Sequence, residues 1–132
     1  MECPNCRAAT VVFDVPTEYR EHAPEEAERL GLCPECLTLT PAGTDPGDGT
    51  DPRFDRISSA FPDDEPAVPL AIGIGLLDSL ALNRTSIETL FRAAETAGAD
   101  PLLLLDRLHV QGGVNPEFDI DRRRHQIEQF LE

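Results

Sequence analysis

Two copies of one short turn, Cys3-Pro4-Asn5-Cys6 and Cys33-Pro34-Glu35-Cys36, contain every cysteine of the chain. A C-x-x-C turn sets two sulfurs on one side of a tight loop. One turn therefore supplies one edge of a tetrahedron, and two turns complete it. Proline after the leading cysteine fixes φ, and the backbone N–H groups of the loop can point at the sulfurs. The pattern predicts that the chain between Cys6 and Cys33 returns to its starting point.

Four thiolates around one divalent cation leave no position for water or substrate. Cys3, Cys6, Cys33 and Cys36 are therefore candidate ligands of a structural ion, with zinc expected. An iron site of rubredoxin type has the same ligand count and similar spacing, and it stays open. A thioredoxin-like redox pair would be a single C-x-x-C in a strand-helix setting, whereas no strand precedes Cys3 and there are two pairs. His22, His109 and His125 lie far apart, without ligand spacing. Some forty residues are too few for a self-sufficient core, and zinc contributes about 10 to 16 kcal/mol in comparable peptides. The cysteine segment is thus expected to unfold without metal.

Charge is the second constraint. The chain of 132 residues has 25 acids and 11 bases, for a net charge of -14, and every base is arginine. Self-repulsion of that size opposes compaction in dilute salt. At molar salt the Debye length falls to about 3 Å and the cost largely disappears. The acid is spread along the chain and not gathered in a tail, with nets of -5, -5 and -4 over residues 1–40, 41–66 and 67–132. This reads as adaptation to the high-salt cytoplasm of a halophilic archaeon. No basic and apolar leader opens the sequence, and the longest apolar run, residues 67–77, falls short of the roughly 20 residues that span a bilayer. The expectation is a soluble cytoplasmic protein without membrane contact, a setting in which paired cysteines point to metal and not to disulfides.

Composition divides the chain into three parts. Residues 1–40 carry the cysteines, with a β-branched strand over 10–15, a helix from Thr17 to about Leu30 interrupted at Pro24, and a short strand over 37–40 ended by Pro41. Residues 41–66 concentrate Pro, Gly and Asp and read as an acidic linker, in which Phe54, Ile57 and Phe61 have the spacing to dock one helical turn on a neighbour. Residues 67–132 read as a helical bundle. It has a buried helix over 67–82, a helix opened by the capping box Thr85-Ser86-Ile87-Glu88 and stopped at Gly98, a third capped by Asp100 with Pro101 behind it, and a last one from about Asp119. The predicted fold class is α+β: a small zinc ribbon, an acidic linker and an all-α domain.

The paired C-P-x-C turns flanking a strand and helix resemble the zinc-ribbon, or rubredoxin-like knuckle, group. The larger pattern also contains V-x-F-x-V-P at residues 11–16 and C-x-x-C-L-x-L-x-P at 33–41. It resembles an uncharacterised family of haloarchaeal zinc-ribbon proteins. The resemblance covers mainly residues 3–41 and implies the ligand role of the four cysteines, with no activity.

Other features carry less. Gly73-Ile74-Gly75 lacks the third glycine and the strand-turn context of a dinucleotide fingerprint, so it reads as helix packing. Arg122, Arg123 and Arg124 form the one basic cluster and are the candidates for phosphate contact, although Asp119, Asp121 and Glu128 stand at helical spacing to pair with them. No hydrolase, metalloprotease, Walker or EF-hand motif occurs. The expected function is therefore non-catalytic: a zinc-binding interaction or adaptor protein with a protein partner. Association with nucleic acid or the ribosome is the alternative, disfavoured by charge.

Overall fold

The computed structural model describes residues 2–42, 52–111 and 113–131. Strands β1 (Val11–Asp14), β2 (Arg29–Leu32) and β3 (Leu39–Pro41) form an antiparallel sheet in the order β1-β2-β3. Val11 pairs with Leu32 and Asp14 with Arg29, while Leu32 pairs with Leu39. Phe13, Leu30 and Leu32 are fully buried, as alternation along a half-covered sheet requires.

The helix predicted from Thr17 to Leu30 is replaced by two 3-10 turns, Thr17–His22 and Pro24–Glu26, followed by the central strand. Pro24 holds Ala23 extended at φ -79° and ψ 143°, which ends any helix there. Leu30-Gly31-Leu32 then gains hydrogen bonds on both sides and a buried face, and this outweighs the local helical preference of the preceding acids. Gly31, the residue just past the end of the expected helix, lies mid-strand.

Four helices follow: α1 (Ala67–Gly75), α2 (Leu80–Thr96), α3 (Pro101–Val110) and α4 (Ile120–Leu131). The single helix expected over 67–82 breaks after Gly75, and α1 is bent by 43° from the stretch Leu77–Thr96. No single helix among the described residues is long and apolar enough to cross a membrane. Helix α2 starts before the predicted capping box, leaving Thr85 in its interior. Leu80 is buried and anchors the earlier start, and Asn83 Nδ2 donates to the Ser79 carbonyl at 3.0 Å. At the other end, Gly98 takes φ +101° while its N–H reaches Glu95 O and that of Ala99 reaches Ala94 O, the Schellman pattern of a glycine stop. Asp100 caps α3 by accepting from the Leu103 N–H at 3.0 Å, and Asp119 caps α4 through the Arg122 N–H at 3.1 Å.

One cluster of buried apolar side chains runs from the sheet (Val11, Phe13, Leu30, Leu32) through Phe54, Ile57 and Phe61 into the helices. Phe54 bridges the two regions, its ring centroid lying 5.6 Å from that of Phe13 and 5.3 Å from that of Phe61. Helix α1 packs closely on both sides. A Cβ on Gly73 would lie 2.5 Å from the Phe91 ring, and one on Gly75 would lie 2.4 Å from Leu39 Cβ. The glycine pair read as helix packing is thus the surface by which α1 meets α2 and β3. Residues 43–51 of the expected linker lie outside the described residues.

Candidate metal centre

The sheet register brings the cysteine turns together. The first turn leads into β1 at Val11 and the second leaves β2 at Leu32, and these two residues are paired. Both turns therefore sit at the same end of the sheet.

Each turn has the same backbone hydrogen bonds. Arg7 N–H donates to Cys3 O at 2.9 Å and Cys3 N–H to Ala8 O at 2.8 Å, while Leu37 N–H donates to Cys33 O and Cys33 N–H to Thr38 O, both at 3.0 Å. Arg7 and Leu37, each next after the second cysteine of its turn, take left-handed φ values of 66° and 59°. Glycine adopts that conformation without strain, and here two side-chain-bearing residues are held in it.

The four sulfurs lie within 4.8 Å of one another. Cys3 Sγ is 3.5 Å from Cys36 Sγ, and Cys6 Sγ is 3.2 Å from Cys33 Sγ and 3.7 Å from Cys36 Sγ. A tetrahedral ion with metal–sulfur bonds of about 2.3 Å requires sulfur separations of about 3.8 Å, close to the separations found here. Asn5 N–H points at Cys3 Sγ at 3.4 Å and Cys36 N–H at Cys33 Sγ at 3.5 Å, the donors expected of such loops. Among the described residues no histidine or carboxylate joins the group. His22 bonds Ser86 Oγ through Nδ1 at 2.8 Å, and His125 Nδ1 lies 2.8 Å from the Asp121 carbonyl.

The thiols differ in acidity. Burial pushes Cys33 up to about 12. Burial also acts to raise Cys36, but the Thr38 hydroxyl at 3.0 Å and the Thr38 backbone, together with Asn5 and Cys3, outweigh it and bring this thiol down to about 6. Of these two sulfurs, Cys36 gives up its proton the more readily. Cys6 is the one exposed sulfur-bearing residue of the four.

Three of these neighbours are absent from any cysteine-spacing argument. Thr38 sits two residues beyond Cys36, within reach of local inspection. The other two come from far along the chain: Arg56 Nη2 donates to Ala9 O at 2.8 Å beside the first turn, and Asn115 N–H donates to Glu35 O at 2.6 Å inside the second.

Arg122, Arg123 and Arg124 fan around α4, as consecutive helical residues must. Arg124 is committed to Asp106 at 3.0 Å and to Glu128, Arg123 is half-buried, and Arg122 is exposed.

A family model described as a family of unknown function (DUF6276) matches residues 2–131. The chain belongs to DUF6276. Comparison with curated proteins and with solved structures gave no match. The DUF6276 match extends from the first cysteine turn to the end of α4, so the family unit contains the sulfur cage together with the helices that pack behind it.

Proposed function

We propose that the four sulfurs hold one zinc ion in a closed structural site, and that the chain is a non-catalytic binding module of a high-salt cytoplasm. The observation that carries this is the sulfur-only cage. Four thiolates saturate a tetrahedral zinc, so the ion braces two loops and activates no water. Four thiolates at this spacing suit iron equally well in size, and metal analysis separates the two.

The acidic, lysine-free composition supports the halophilic part of the reading. Its check is the thermal midpoint against potassium chloride: a rise toward molar salt supports it, and a flat or falling profile refutes it. Association with nucleic acid through Arg122, Arg123 and Arg124 has weaker support, because Arg124 is held by two carboxylates and the net charge of -14 repels phosphate.

The deciding experiment is native mass spectrometry of the chain purified in high salt, reporting metal and co-purifying proteins. One zinc per chain, lost in Cys33→Ser, and a stoichiometric protein partner are expected. A coloured iron-loaded chain overturns the zinc assignment, an untouched free monomer overturns the adaptor role, and a partner that is RNA favours the alternative.

A further inference from the structure

A cleft of ≈ 270 Å³ opens between α2 and α4, lined by Leu80, Ala81 and Phe130 and by the arginines Arg84 and Arg123. Among the described residues these two are its only charged lining residues. That runs against the composition of a chain with 25 acids. Elsewhere the arginines that line clefts share them with carboxylates: Arg20 and Arg29 with Asp14 and Glu28, and Arg122 with Asp78, Glu117 and Asp119 in a neighbouring cleft that Arg123 also borders.

Among the described residues neither Arg84 nor Arg123 forms an ion pair. The Arg84 guanidinium lies 5.0 Å from the centroid of the Phe130 ring. Arg123 Nη1 donates to Gln126 Oε1 at 2.9 Å, but its Nε is buried with no hydrogen-bond partner. A buried donor without an acceptor is a standing cost, and it leaves the Arg123 charge uncompensated by any carboxylate contact. With its oxygen engaged by Arg123, the Gln126 amide presents N–H donors. The polar part of the lining therefore selects an acceptor.

We propose that this cleft binds a small organic carboxylate. Its anionic head would sit between Arg84 and Arg123, and its hydrocarbon body would lie on Leu80 and Ala81. The apolar half of the lining matters at high salt, because salt screens the attraction of a bare anion and leaves apolar burial in force. The volume lies just below the roughly 300–1,000 Å³ of sites for drug-sized ligands, which favours a small acid over a nucleotide. No lining residue comes from the cysteine turns, so the inference stands or falls apart from the metal reading.

The test is a titration of the full chain, at the lowest salt that keeps it folded, followed by amide chemical shifts. Benzoate is the probe, with benzyl alcohol and inorganic phosphate as comparisons. Saturable benzoate shifts confined to residues 80–84 and 123–130 are expected, with both comparison compounds at least about tenfold weaker. Arg123→Gln should weaken benzoate about tenfold, and so should Arg84→Gln, a change at an exposed side chain that leaves the fold intact. Absence of saturable benzoate shifts overturns the proposal. Equal binding of benzyl alcohol reduces the cleft to an apolar groove, equal binding of phosphate reduces it to a bare anion site, and indifference to both substitutions places the ligand elsewhere; each of these also overturns it.

Discussion

Asn115, in the connection between α3 and α4, donates its backbone N–H to the carbonyl of Glu35 across 2.6 Å. Glu35 lies between the two cysteines of the second turn, so the helical region grips the sulfur cage from outside. The Arg56 bond to Ala9 does the same for the first turn. Order in the cage and order in these two contacts are therefore coupled.

Metal removal should expose that coupling without unfolding the chain. The cage residues Cys3, Cys33 and Cys36 form a small cluster of their own, whereas the sheet shares its buried side chains with the helices. Chelation is expected to speed amide exchange at residues 3–8, at 33–38 and at Asn115, and to leave β1, α1 and α2 protected. Loss of protection throughout β1 and β2 would mean that metal alone holds the sheet, which is what the sequence by itself suggests.

Alanine at Gly73 or Gly75 should destabilise the chain, although alanine is the better helix former by about 1 kcal/mol. The new methyl group would meet the buried Phe91 ring in one case and Leu39 Cβ in the other. Overpacking of this kind costs about 1 to 3 kcal/mol, so the net loss should appear as a lower urea midpoint with an unchanged slope. A raised midpoint for either variant would show that α1 has room to move.

Local chemistry explains which parts of this fold are readable in advance. The cysteine turns, the Asp100 cap with Pro101 and the Gly98 stop are each decided within a few residues, and each stands where its motif places it. Leu30-Gly31-Leu32 is different. Beside a run of glutamates it looks helical, and it becomes a strand because Phe13 and Leu39 flank it in space. The capping box at Thr85 is overridden in the same way by burial of Leu80. For the contacts of Asn115 and Arg56 there is no local signal at all, since a backbone donor or an exposed arginine acquires its partner only when the chain closes.

Arg7→Gly should stabilise the first turn. Arg7 is exposed and held at φ 66°, so glycine relieves left-handed strain of about 1 kcal/mol without removing a buried group. Leu37 has the same conformation but is 1% exposed, and Leu37→Gly should cost more in lost packing than it recovers. Thermal midpoints of the metal-loaded variants should move in opposite directions; a shift of the same sign in both would show that strain at these positions does not limit stability.

Metal affinity should fall on acidification, and more steeply once Cys36 is protonated. Metal binds the thiolate form, so the metal-free chain holds more protons than the loaded one, and lowering pH favours release. Cys36, near 6, has already lost its proton at neutral pH and contributes nothing to proton release there, whereas Cys33, near 12, must give one up throughout. Below about pH 6 Cys36 must give one up as well. A plot of log affinity against pH should therefore steepen by about one unit below that point. In Thr38→Val, which removes the hydroxyl beside Cys36 Sγ, the break should move to higher pH. A single slope across the range in the native chain, or an unmoved break in the variant, would show that Thr38 does not hold this sulfur as thiolate.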